Sequence, residues 1–228
     1  MNDNTRNPAR LSTRELSKQI LEAFHLPWIL QVGATPVFLW THAYIPLSSS
    51  SSGNNRDMAG LEDIANFTSL TYVGLQEYAA VLAPHLDANH QPLIAPSGLA
   101  WLLIYEENLD LWKTLFHGAD HIHASPSGTL LQGLVMYHTL FGELPDKNSL
   151  WDTTSSSSSS SIESLWQNAR MMQHAWEPPN PFPTAPAVDY LYRIAERICI
   201  EGEIPKSFIP YQNGEAAYTP PTNNNNSG

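Results

Sequence analysis

The sequence predicts an α/β domain built around a parallel sheet. Three observations carry that prediction. Two compact apolar, β-favouring runs, "ATPVFLWTHAY" at 34–44 and "QPLIAPSG" at 91–98, are bounded by glycine or proline. Segments with helical apolar spacing precede, separate and follow them. The order is helix, strand, helix, strand, helix, and strands joined through helices pair in parallel.

Taken in order, "LSTRELSKQILEAFHL" at 11–26 carries a capping box, with Ser12 as the cap and Glu15 three residues on. Leu16, Ile20, Leu21 and Phe24 follow at helical spacing. The run after Gly33 lacks polar alternation and reads as a strand buried on both faces. Helical period returns in "LTYVGLQEYAAVLAPHL" at 70–86 and stops at Pro84 and the loop "HLDANHQ". The second strand run ends at Pro96 and Gly98, and "GLAWLLIYEENLDLW" continues from it. In "SGTLLQGLVMYHTLFGELP" at 127–145, Leu130, Leu131, Leu134, Val135, Tyr137 and Phe141 form one stripe, closed by Gly142 and Pro145. "SIESLWQNARMMQHAW" and "AVDYLYRIAERICIEG" predict two further helices joined by the proline-rich "EPPNPFPTAP".

Polar low-complexity stretches divide the chain. The expected organisation is a domain over 1–147 with an unpacked insert at 47–57, a serine-rich linker over 148–161, a helical segment over 162–212 and a tail over 213–228. The helical segment is expected either packed on the domain or loosely attached to it.

Charge narrows the function. Twenty-two acidic against eleven basic residues give a net charge of −11, which disfavours nucleic acid, because phosphate backbones are bound through clustered Lys and Arg. The seven tryptophans have no basic groove beside them and read as core and pocket lining. The single cysteine, Cys199, rules out an internal disulfide framework and sits among apolar residues, where a thiol behaves as a small hydrophobe. The apolar runs are all broken before the roughly 20 residues a membrane span needs. "MNDNTRNPAR" lacks the apolar core of a secretory signal, so a soluble chain of open compartment is expected. Neither composition nor spacing speaks to oligomeric state.

The densest chemistry lies in "GADHIHASPSG" at 118–128, where Asp120 and His123 stand three positions apart with His121 between them. A dyad is one reading: His123 takes a proton from a hydroxyl nucleophile while Asp120 fixes its tautomer and stabilises the imidazolium. A metal clasp is another, with His121 and His123 alternating along an extended segment and Asp120 or His117 adding a ligand. A polar turn is the third. His42 and His138 read as satisfied structural histidines, and no cofactor or metal is expected.

The order of "TPVFLWTHAY", a helix, "LIAPSGLAW", "DHIHASPSG" and a helix ending "LFGELP" resembles the C-terminal two thirds of the SGNH (GDSL-type) hydrolases, over about residues 2–145. The resemblance implies a flavodoxin-like three-layer sandwich with a parallel sheet. It makes Asp120 and His123 the acid and base of a Ser, His, Asp triad, their block running into a Gly that opens the terminal helix. It further aligns "NDN" at 2–4 with the end of the family's Gly-X-Asn-Asp block, which makes Asn2 an oxyanion donor. The implied activity is that of an esterase or acylhydrolase acting on an ester-bearing carbohydrate or lipid.

The departure is as specific as the match. Members of the family carry their nucleophile in a Gly-Asp-Ser motif after the first strand, and that tripeptide does not occur in this chain. Ser97 in "APSG" follows a late strand without a preceding Asp and reads as a structural turn. The alignment implies a domain entered midway, incomplete at its N-terminus, and inactive as it stands. The competing class is a noncatalytic interaction or scaffold protein on a decayed hydrolase fold.

Overall fold

A computed structural model describes residues 11–44, 63–118, 122–147 and 183–208. Strands β1, Val37–Leu39, and β2, Leu93–Ala95, pair in parallel, with Val37 opposite Leu93 and Leu39 opposite Ala95. Among the described residues these two strands are the whole sheet.

The ladder is shorter than the apolar runs predict, for local reasons. Pro36 has no N–H to give and only accepts, from Leu93 N at 2.9 Å. At the other end Trp40 N–H still donates to Ala95 O at 3.0 Å, but the Trp40 carbonyl is taken by Gly98 N–H at 2.7 Å, where the chain has already turned into a helix. Thr41 to Tyr44 continue as irregular but buried chain.

Helix α3, Ile64–Leu82, makes the crossover between the strands. Asp63 caps it, accepting from Asn66 N at 2.8 Å, so it begins several residues before the predicted segment. Phe38 and Trp40 lie against it: Trp40 stacks on Tyr72 at 4.5 Å between centroids and Phe38 meets Tyr78 at 6.2 Å. Leu39, between them in sequence, is 40% exposed, as the two-residue period of a strand requires.

The first helical segment is longer than predicted. α1, Leu11–Ile20, passes through a π-helical turn at Leu21–His25 into α2, Leu26–Val32, which stops at Gly33 with φ 63°. Because α1 starts at Leu11, Ser12 lies inside the first turn and not at the cap position that the capping box predicts. The buried face is also different: Arg14, Ser17, Leu21 and Leu26 turn inward while Leu16 and Phe24 face solvent. An ion pair rotates the helix this way. Arg14 donates to Glu77 of α3 at 2.6 Å and Lys18 joins the same carboxylate at 3.2 Å. Burial pushes the Glu77 carboxyl up, but these two cations bring it below the usual carboxylate range.

β2 feeds α4, Ser97–Glu107, and a short α5, Leu109–Thr114, capped by Asn108, which accepts from Leu111 N at 3.0 Å. α6, Pro126–Phe141, has Ser125 as cap, Pro126 in its first turn and Gly142 at φ 76° beyond its end. Its predicted stripe is half right: Leu131, Leu134 and Val135 are buried with His138, whereas Phe141 is 64% exposed. α7, Ala185–Cys199, packs on α6 and α4 and puts Leu191, Ile194, Ala195 and Ile198 fully inside the common core. Of the two predicted C-terminal helices, the one at 161–176 lies outside the described residues. Arg197 of α7 forks onto Glu107 and Glu203, and the chain that follows runs to Phe208, whose ring is 5.6 Å from Trp40. No helix among the described residues is long and apolar enough to cross a membrane.

Candidate functional site

Three segments converge beyond the C-terminal ends of the strands, the edge at which parallel α/β units expose their chemistry. They are the chain after β1 (Trp40 to Tyr44), the start of α4 after β2, and the loop between α5 and α6 that carries His123.

Two Pro-Ser-Gly tripeptides bring the helices in. At 96–98 the glycine stands where a Cβ would lie 2.7 Å from the Trp40 ring and 2.9 Å from Thr41 O. At 126–128 a Cβ on Gly128 would lie 2.3 Å from Leu115 O and 2.6 Å from the Trp101 ring. Each glycine lets a first helical turn sit directly on an indole. Trp101, thus pinned, provides the floor for His42: the rings stack at 3.8 Å and 12°, and Phe116 meets the imidazole edge-on at 5.4 Å.

The His42 ring is held at both nitrogens. Nε2 is 2.9 Å from Ile122 O and Nδ1 is 2.8 Å from Gln132 Nε2 of α6. A carbonyl only accepts, so Nε2 carries the proton; Nδ1 then accepts from the Gln132 amide, and the imidazole is neutral. Burial lowers its pKa, outweighing the Ile122 carbonyl, and with the nearby His123 brings it to about 4. His42 is the satisfied structural histidine that the sequence predicts. His138, the other one, is buried and its pKa is lowered by that burial, but its Nε2 has no hydrogen-bond partner among the described residues.

The loop itself is a tied arch. His117 N–H donates to His123 O at 2.7 Å, Ser125 N–H to Leu115 O at 2.8 Å, and Phe116 and Ala124 form an antiparallel bridge. Ser125 Oγ donates to Thr114 O at 2.7 Å and accepts from Gly128 N at 3.3 Å, so one hydroxyl both closes the arch and caps α6. His123 is exposed at the C-terminal shoulder of this arch, whereas His117 is buried.

Of the three proposed catalytic residues, Asp120, His123 and Asn2, His123 is the one with a described position. Asp120, its proposed acid, His121, the further metal candidate, and Asn2, the proposed oxyanion donor, lie outside the described residues. Ser97 is fully buried in the first turn of α4, and its hydroxyl has no hydrogen-bond partner among the described residues. Among the described residues no three His, Cys, Asp or Glu side chains are placed to hold a metal ion. A shallow hollow of about 550 Å³ lies elsewhere, between the end of α4 and the chain at 203–207. Its carboxylates are already committed, Glu107 and Glu203 to Arg197 and Glu106 to the backbone N–H groups of Lys206 and Ser207.

What sequence reasoning missed at this site is the role of the glycines and of Gln132. The signal available was the repeated Pro-Ser-Gly, read at 96–98 as a structural turn and at 126–128 as the opening of the terminal helix. Compared with protein-family models, with curated protein sequences and with solved structures, the chain matches nothing in any of the three.

Proposed function

We propose that this chain carries the acid–base half of an SGNH-like carboxylic-ester hydrolase centre, with a flavodoxin-like three-layer sandwich as its fold and an ester-bearing carbohydrate or lipid as its substrate class. One observation supports the reading above the rest: His123 is solvent-exposed on a tied arch at the C-terminal edge of a parallel β-α-β unit, immediately before a capped helix. In this reading His123 is the base, Asp120 orients its ring, and Asn2 donates to the oxyanion. The chain contains no Gly-Asp-Ser, and Ser97 is fully buried in the first turn of α4.

The test separates pairing from turnover. Substituting Asp120→Asn is expected to change the His123 ring tautomer, read by nitrogen NMR, because the carboxylate holds the ring proton on the nitrogen that faces it. Turnover of p-nitrophenyl acetate by the purified chain is expected near background and unchanged by His123→Ala. An unchanged His123 tautomer removes the acid–base pair and leaves the noncatalytic reading. Robust turnover lost in both His123→Ala and Ser97→Ala makes Ser97 the nucleophile.

A further inference from the structure

We propose that His42 is a positioning residue, whose Nε2–H holds the Ile122 carbonyl and so fixes the backbone from which His123 projects. The arch is closed by two pairs of residues. Their bonds, at Leu115 and Ser125 and at His117 and His123, are all between residues of the arch itself. The bond from His42 to Ile122 O, one residue before His123, ties this part of the arch to the segment that follows β1. Eighty positions of sequence separate its partners, so it fixes the arch relative to the sheet and not only to itself.

The rest of the His42 environment serves that one bond. Stacking on Trp101 sets the plane of the ring, and Gln132 donating to Nδ1 leaves the proton on Nε2, where the carbonyl needs it. A buried histidine kept merely as core filler needs the stack but not the tautomer. Phenylalanine at 42 keeps the stack alone, glutamine places an amide N–H where Nε2 stands, and asparagine places an amide oxygen where Nδ1 stands. The three substitutions therefore separate packing, the Ile122 bond and the Gln132 bond.

The link to function rests on His123 being the base, but the experiment reads the arch directly. Amide hydrogen exchange on the full-length chain compares His117 N–H, bonded to His123 O, with Trp40 N–H, bonded to Ala95 O in the sheet. In His42→Phe and His42→Asn the His117 amide is expected to exchange roughly tenfold faster relative to Trp40, the change a lost hydrogen bond of ordinary net strength gives. In His42→Gln it is expected to stay within about threefold of wild type, since the donor to Ile122 is restored. Equal acceleration of both amides, no acceleration, or rescue by asparagine as complete as by glutamine overturns the assignment. Should His42→Phe fail to fold, the glutamine and asparagine variants carry the comparison. A His123 tautomer unchanged by Asp120→Asn bears on the role of His123 and leaves the exchange result to stand alone.

Discussion

The carbonyl oxygen of Leu115 lies 2.3 Å from the point where a Cβ on Gly128 would stand. Neither that carbonyl nor the Trp101 ring on the other side can move away freely, because Leu115 O also accepts from Ser125 N–H and Trp101 carries the His42 ring. Gly128→Ala is therefore expected to destabilise despite alanine's better helix propensity. The propensity gain is about 1 kcal/mol and the clash about 3, leaving a net loss of about 2 kcal/mol. Gly133 gives the control on the same helix, since a Cβ there meets nothing within 4 Å. Gly133→Ala is expected to stabilise by about 0.5–1 kcal/mol. Urea denaturation of the two variants checks both; the same sign for both contradicts the packing described.

Buried and neutral, His42 makes stability depend on pH. Its folded pKa of about 4 is below the 6.5 of the unfolded chain, so between those values the unfolded state binds the extra proton. The stability is fully present above about pH 6.5 and is lost as pH falls towards 4. From pH 7 to pH 5 the loss from this group is about 2 kcal/mol. His138, whose pKa is also lowered by burial, acts in the same direction. Denaturation midpoints in His42→Gln are expected to fall less steeply over that interval; an unchanged slope means that His42 is not the group that titrates.

The sequence made some of this legible because the signal was local. Gly142 closes α6 where the sequence predicts its end, while Ser125 and Pro126, which open it, were not singled out as cap and first turn. Strand lengths were not legible, because Pro36 and the Gly98 N–H bond to Trp40 O end the ladder, and the second depends on how α4 packs. The inward face of α1 was misjudged for a tertiary reason. A pattern of Leu16, Ile20, Leu21 and Phe24 describes an apolar stripe, but Arg14 turns inward to Glu77, 63 positions away, and Phe24, in the π-helical turn, faces solvent. At the site, the Asp-X-X-His spacing drew attention to that loop, while the bond that ties it to the segment after β1 comes from His42, eighty positions from Ile122.

Arg197 joins α7 to the end of α4. Its guanidinium donates to both Glu107 oxygens at 2.8 and 2.6 Å and, through Nε and Nη2, to Glu203 at 2.6 and 2.7 Å. The Glu107 carboxyl is held below the usual range by that guanidinium. The carboxylates remain about a third exposed, so solvent screens the pairs. Arg197→Met, which keeps the aliphatic stem, is expected to cost about 1 kcal/mol in low salt and measurably less at 1 M NaCl. A cost independent of salt assigns the effect to packing instead.

Cys199 closes α7 from the inside. Burial pushes its thiol up to about 12, so almost no thiolate forms near neutral pH and no nearby cation offsets the burial. Thiolate is the species that reacts with disulfide and alkylating reagents. The folded chain is therefore expected to react with a chromogenic aromatic disulfide at least roughly a hundredfold more slowly than the same chain in urea, with a single equivalent released on unfolding. The residual native rate is expected to rise with urea in step with unfolding, since the thiol becomes accessible when α7 leaves α4 and α6. Fast native labelling at pH 7, before any loss of structure by circular dichroism, contradicts the burial of Cys199 and with it the docking of α7 on the core.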